Sequence, residues 1–404
     1  MKSLLSNYSN SITHNWKKFD EIVKNVASSS SKSISLEGFQ GSSAGFFVAS
    51  VIESVRGKVL GAMQYNSTGR YSRETQGFDA SSLDFVVVAS SERDLREIQT
   101  DLETALEDSV EIYDFPAWTS AAYRTVAKGA SIFGKRAGVL AEMSSSHRIL
   151  SSSTKPRVFL MSQRSLVAPV PNPEFLKSLV FSLRRMQKVE PTDLAEKLSL
   201  LGYSKVPKVC VPGEFTLRGE VLDVFTPGEE FPTRINFDFD SIDSIKSFKV
   251  ESQSTLSSKD SLLVYPMKEV VWNDELLERL KGEFGKVVSG ETSELGFTDA
   301  AKKEIDSILS ELKEKGEVEG EELFYPVLWE RKFSPIEYVG ENSTLFFFDY
   351  DRLGNTQESF DREYAGMFKK ARLESPVFAP SRMMIRFSDL MENSRSRNKC
   401  VVFH

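Results

Sequence analysis

Ser35-Leu36-Glu37-Gly38-Phe39-Gln40-Gly41-Ser42-Ser43-Ala44-Gly45, followed by Phe46-Phe47-Val48-Ala49-Ser50-Val51-Ile52, reads as a short strand, a glycine-rich turn and the start of a helix. Working outward, Leu83-Asp84-Phe85-Val86-Val87-Val88-Ala89 is a largely apolar run of the kind buried on both faces of a parallel sheet. Ser90-Ser91-Glu92 then caps a helix over 92–107, with Leu95, Ile98, Leu102 and Leu106 on one face. Val110–Tyr113 and Arg157–Met161 read as further strands. Strands alternating with helices predict a layered α/β domain around a parallel sheet. Before it, residues 1–34 read as one helix and a serine-rich loop, Ser28 to Ser33.

The texture changes near residue 165, after which turns replace long helices. Pro169-Val170-Pro171-Asn172-Pro173 interrupts the chain, and a helix is predicted from Thr192 to Leu201, with Thr192-Asp193 as its cap and Gly202 at its end. Val209–Pro212, Glu214–Arg218, Glu220–Phe225 and Arg234–Phe239 read as antiparallel strands of a small α+β unit. Amphipathic helices follow at 274–284 and 298–315, then an apolar strand, Thr344–Phe348. Residues 350–404 are helical to about 374 and then extended, and the chain stops inside an apolar strand at Cys400-Val401-Val402-Phe403-His404, as expected for part of a longer protein.

The 404 residues are enough for more than one hydrophobic core. Hydrophobic residues make up 40% and charged residues 27%, an ordinary globular balance. With 51 Lys+Arg against 58 Asp+Glu the net charge is −7, which argues against a broad duplex-binding surface and leaves room for a local basic patch. Cys210 and Cys400 are the only cysteines, too few for a disulfide scaffold or a cysteine-based zinc site. Three histidines, at 14, 147 and 404, leave little for a metal cluster or a nucleophile–histidine centre. The expectation is therefore no catalytic residue, no metal and no cofactor. With no long apolar run and no secretion signal, no membrane association is expected, and a monomer in the cytoplasm is.

The glycine-rich turn stands where a phosphate loop would stand. Such a loop needs a lysine on the β- and γ-phosphates and a hydroxyl on magnesium. Here Gly38, Gly41, Ser42 and Ser43 supply the turn, but Ala44 takes the lysine position and Gly45 the hydroxyl position. It reads as a degenerate phosphate loop without hydrolytic chemistry. Trp118 and Tyr123 are aromatics that could stack a base, but no basic groove surrounds them and packing is the expected role. Arg136 is expected to pair with a carboxylate, and His147 to lie in a loop.

Several motifs in a fixed order resemble the bacterial transcription-repair coupling factors, whose N-terminal module is shared with the excision-repair protein UvrB. They are Leu36 to Ser43; Phe115-Pro116-Ala117-Trp118 with Ala122-Tyr123, where alanine replaces a proline; Arg136 to Leu140; and Leu323 to Tyr338. The most specific block is Leu201-Gly202-Tyr203-Ser204-Lys205-Val206, continued by Pro212-Gly213-Glu214-Phe215-Thr216-Leu217-Arg218-Gly219-Glu220-Val221-Leu222-Asp223-Val224-Phe225. Pro232 to Phe237, Ile242 to Ile245, Pro266 and Glu269 extend it, with Lys205 where arginine is usual and Asn236 where an acid is usual. The resemblance implies a degenerate P-loop (RecA-like) α/β domain from 1–164, an inserted small α+β domain at 165–250, a return segment at 251–349 that completes the first domain, and at 350–404 a linker and the start of a further domain. It implies that the insert docks onto UvrA, with Arg218 meeting UvrA acids and Lys205 serving nearby. Such a surface needs an apolar anchor, for which Leu222, Phe225 and Phe215 are the candidates, although alternate strand residues bury inward and the two phenylalanines are expected mainly in the core. It also implies that the family's ATP-driven translocase, and its contacts to RNA polymerase and DNA, lie in parts absent here. The competing reading is a nucleotide-binding or helicase lobe of a UvrB-like repair protein. A third is a clamp that masks its own docking face against those absent parts.

Overall fold

The computed structural model describes residues 17–28, 30–39, 41–62, 80–119, 121–144, 155–292 and 294–404. Along the chain come helix α1 (Lys17–Ser28), strand β1 (Ser33–Leu36), α2 (Ser43–Ala62), β2 (Asp84–Ala89), α3 (Glu92–Leu106), β3 (Glu111–Phe115), α4 (Ser131–Ser144) and β4 (Arg157–Ser162). Then follow β5 (Phe181–Arg184), α5 (Pro191–Leu200), β6 (Ser204–Lys205), β7 (Glu214–Arg218), β8 (Val221–Val224), β9 (Thr233–Asp238), β10 (Ser241–Phe248), β11 (Thr255–Lys259) and β12 (Ser261–Val264). The return segment carries α6 (Asp274–Ser289), α7 (Asp299–Lys315), β13 (Thr344–Phe347), α8 (Tyr350–Ala371), α9 (Phe387–Arg397) and β14 (Lys399–Phe403).

The first sheet has six strands in the order β1-β14-β13-β2-β4-β3, all parallel. Its strands are apolar throughout because both faces are covered. Phe85, Val87, Val158, Leu160, Phe346, Val401 and Phe403 point to one side, against α1, α2 and α3. Val86, Val88, Phe159, Met161, Leu345, Phe347 and Val402 point to the other, against α4, α8 and α9. Residues 350–404, read from sequence as a linker and the start of a further domain, instead return to this sheet. Cys400, Val401, Val402 and Phe403 are all buried, and β14 lies between β1 and β13. Only burial on both faces in an interior position satisfies such a strand.

The second sheet, ordered β11-β10-β9-β8-β7-β6, is antiparallel except for the β6–β7 pair. One of its faces packs on Leu194, Ala195 and Leu198 of α5. The chain enters and leaves this unit through a neck of two antiparallel strands, Phe181 beside Val264 and Arg184 beside Ser261. The unit thus runs from 181 to 264, whereas sequence texture set it at 165–250. Leu166, Val170 and Leu176, before the neck, belong to the core of the first sheet. Two smaller differences concern this region. Val209–Pro212 is a loop, not a strand. Helix α5 starts at Pro191 with no side-chain cap bond, so Thr192-Asp193 form its first turn.

Helix α4 joins the two units closely. A Cβ at Gly134 would stand 2.6 Å from Pro227 Cβ, and one at Gly138 would stand 2.8 Å from Tyr265 Oη. These glycines are one turn apart on the same helix face. Below them Arg136, wholly buried, donates from Nε to Glu269 Oε1 at 2.6 Å and from Nη1 to Pro116 O at 2.6 Å. Its guanidinium lies 4.1 Å from the Phe115 ring centre and 4.3 Å from that of Trp118. Burial lowers the Arg136 pKa and raises that of Glu269, each opposed by attraction to the other.

Candidate functional site: the outer face of the inserted sheet

Strand alternation sorts the inserted sheet into two faces. Phe215, Leu222, Val224, Ile235, Phe237, Ile242 and Ile245 turn inward onto α5. Register aligns Thr216 with Asp223 and Asp223 with Arg234 on the opposite face, where Arg218 and Val221 also pair. Asp223 is only 2% exposed, yet it is not in an apolar site, because two arginines close over it. Arg234 takes both carboxylate oxygens, Nε to Oδ1 at 2.7 Å and Nη2 to Oδ2 at 2.8 Å. The same Nη2 donates to Gln253 Oε1 at 2.8 Å, and the guanidinium lies 4.5 Å from the centre of the Phe248 ring. Donation of these hydrogen bonds to the Asp223 carboxylate raises the Arg234 pKa, so this arginine stays charged.

Arg218 is held differently. It makes one contact to the same carboxylate, Nη2 to Oδ2 at 3.3 Å, and its side chain is 56% exposed. Two guanidiniums thus share one carboxylate, with the bidentate geometry taken by Arg234. An exposed single ion pair contributes about 0–1 kcal/mol. Arg218 can therefore turn to an external carboxylate at little loss to the fold, while Arg234 holds Asp223 in place.

The other residues singled out from sequence fall elsewhere. Lys205 is exposed on the edge strand β6, paired with Phe215. Arg218 lies three residues further along β7 and points to the opposite side of the pleat, so the sheet does not bring the two cations together. Leu222, Phe225 and Phe215 are buried, at 0%, 6% and 0% exposure. This agrees with the core role expected of Phe215 and Phe225, and Leu222, the other candidate anchor, likewise offers no exposed surface. Asp223 and Arg234 were missed. The signal was available: Asp223 has the strand parity of Val221, and Arg234 alternates with the inward Ile235.

At the degenerate loop, Gly38 and Gly41 adopt positive φ (86° and 53°), and Ser42 O accepts the first helical bond of α2 from Phe46 N. Ala44 is buried in the core. Gly45 faces Asp101 of α3 so closely that a Cβ would stand 2.6 Å from Asp101 Oδ2. Burial raises the Asp101 pKa, opposed by a hydrogen bond from Ser42. The carboxyl group thus sits beside the start of α2. A cleft of about 500 Å³ opens over it, lined by Asp94, Glu97, Asp101 and Asp349 against Arg352. Burial would raise the Asp94 pKa, but hydroxyls of Ser91 and Ser90 and the charge of Arg352 hold it below the ordinary value. The lining carries four carboxylates against Arg352 and His404.

Trp118 packs on Phe133 and Tyr325, at ring-centre distances of 5.1 and 5.9 Å. Tyr123 is buried and donates from Oη to Phe378 O at 2.6 Å. Both are packing residues. His14 and His147 lie outside the described residues. Among the described residues no cluster of metal-ligating side chains occurs, and no helix is long and apolar enough to cross a membrane.

Comparison with known proteins agrees with this division. Residues 181–270, which include the whole neck, match the UvrB interaction domain. The transcription-repair-coupling factor of Borreliella burgdorferi is 26% identical over 297 residues, covering 73% of this chain and 22% of that protein. The factor of Haemophilus influenzae is 22% identical over 284 residues, 70% of this chain and 23% of that protein. UvrABC system protein B of Kosmotoga olearia is 30% identical over 142 residues, 35% of this chain and 21% of that protein. The chain therefore spans under a quarter of the length of these relatives. Residues 181–270 thus match the UvrB interaction domain, within a chain that is similar over 73% of its length to the transcription-repair-coupling factor of Borreliella burgdorferi.

Proposed function

We propose that this chain is a non-enzymatic adaptor that recruits UvrA to a transcription-repair coupling factor. The observation that carries the reading is the UvrB interaction domain at 181–270, set on a two-strand neck with Arg218 free to leave its shared carboxylate. In this reading Arg218 is the docking cation and Lys205 a secondary one at the sheet edge. The link to RNA polymerase, and any motor on DNA, would belong to parts of a longer protein. The chain itself would act as a monomer in the bacterial cytoplasm.

Calorimetric titration of the chain with cognate UvrA tests this. Arg218→Ala is expected to weaken binding by about 1–3 kcal/mol, the scale for a hydrogen bond to a charged group. Unchanged affinity in this variant would move the docking site off Arg218, and no binding by the unsubstituted chain would remove the adaptor reading. The strand–turn–helix and its cleft favour a nucleotide-binding lobe as the second reading. Titration with ATP and magnesium separates the two, and the acids around Asp101 lead us to expect no heat of binding.

A further inference from the structure

The inserted sheet has two tight hairpin turns at the same end. In one, Arg218 pairs with Val221 and the turn residues are Gly219 and Glu220. In the other, Asp238 pairs with Ser241 and the turn residues are Phe239 and Asp240. The turns adjoin, since Phe237 N donates to Glu220 O at 2.8 Å. Both hold a positive φ at their first residue, 57° at Gly219 and 55° at Phe239. That backbone suits glycine and strains a residue with a Cβ. Phe239 gains no burial in exchange, because it is 81% exposed.

Met186, in the loop after β5, repeats the combination with φ 64° and 77% exposure. This loop is laid along the same hairpin: Met186 N donates to Ile242 O at 2.7 Å, and Val189 N to Asp240 O at 2.7 Å. Single exposed apolar side chains are common on protein surfaces. Two large ones on adjoining turns, each on a backbone that disfavours it, are explained neither by local conformation nor by core packing. An outlier of that kind points to a contact with another molecule. The surroundings supply cations: Lys188, 80% exposed and 3.6 Å from Asp240; exposed Arg185; and Arg218 at the neighbouring turn.

We propose that Phe239 and Met186 form the apolar anchor of the UvrA-docking surface. They would enter an apolar pocket on UvrA whose rim carries carboxylates facing Arg218, Lys188 and Arg185. The proposal rests on the adaptor reading and adds the residues that would supply its buried contact area. Such anchors dominate binding energy when surrounded by polar contacts.

The test is titration of UvrA with the unsubstituted chain, Phe239→Gly and Met186→Gln, alongside thermal melts of each. Both variants are expected to lose about tenfold or more in affinity. Phe239→Gly is expected to melt at or above the temperature of the unsubstituted chain, because glycine relieves the turn. Loss of affinity without loss of stability separates docking from a structural role. If the unsubstituted chain binds and both variants bind equally well, the anchor is wrong and the adaptor reading stands. If the unsubstituted chain does not bind, both fall. Self-association in sedimentation velocity that Phe239→Gly abolishes would assign the patch to a second copy of this chain and overturn the proposal.

Discussion

Glu322 shows how one residue can bias the whole fold. It is buried, its Oε1 accepts from Val126 N at 2.8 Å, and its Oε2 has no partner. Burial raises its pKa to about 7, only partly offset by backbone N–H groups, and neighbouring Glu321 and Glu319 push it further up. The folded protein thus keeps a proton that the unfolded chain releases near pH 4.5. Stability from this group is fully present below that pH and is lost as pH rises toward 7. Chemical denaturation across pH 4–8 should show the unsubstituted chain losing stability relative to Glu322→Gln as pH rises. A difference independent of pH would refute the assignment. At this scale the sequence was uneven as a guide. Arg218 could be picked out from its motif, and its side chain is exposed. Leu222 and Phe225 sit in the same motif, but residue type alone does not say which face of a strand points inward. Parity relative to Asp223 says it for Leu222, whereas Phe225, just past the end of β8, shares the parity of Asp223 and is buried all the same. Phe239 and Met186 could not be found by type or pattern, since their distinction is a backbone angle.

Among the elements, α4 decides how the insert sits. Alanine is a better helix former than glycine by about 0.5–1 kcal/mol, so Gly134→Ala would stabilise an isolated helix. In this protein the new methyl meets the Pro227 ring, a rigid neighbour, at 2.6 Å. Overpacking typically costs about 1–3 kcal/mol, so the expected sign is reversed. Gly134→Ala should lower the denaturation midpoint and speed proteolysis at the neck, residues 181–184 and 261–264. A variant more stable than the parent would show that the insert shifts freely. The β2, β4 and β13 strands were legible from apolar runs, and α3 from its Ser91 cap and its stripe of leucines and isoleucine. Strands β11 and β12 were not. Thr255–Lys259 is exposed along most of its length and has no alternating pattern. Neither its pairing with β10 nor the neck follows from local sequence, because both are set by partners distant in the chain.

For the whole molecule, the six-stranded sheet is assembled from three separated stretches of chain, 33–162, 344–347 and 399–403. Ending the chain before Lys399 would leave β1 with no neighbour and β13 with one. Burial of each large apolar side chain contributes about 1.5–3 kcal/mol. The loss of buried Val401, Val402 and Phe403 therefore approaches the entire stability of an ordinary domain. Removal of residues 399–404 should abolish cooperative melting and allow a hydrophobic dye to bind. A cooperative melt near the parent temperature would show the strand to be dispensable. The place of β14 also has a consequence in time. During synthesis β1 emerges well before its neighbour in the sheet, β14, which is completed only at residue 403. At about 5–20 residues per second the interval is on the order of tens of seconds. Throughout it β1 and the turn after it have no sheet neighbour, and the nascent chain must stay free of wrong partners until β14 arrives.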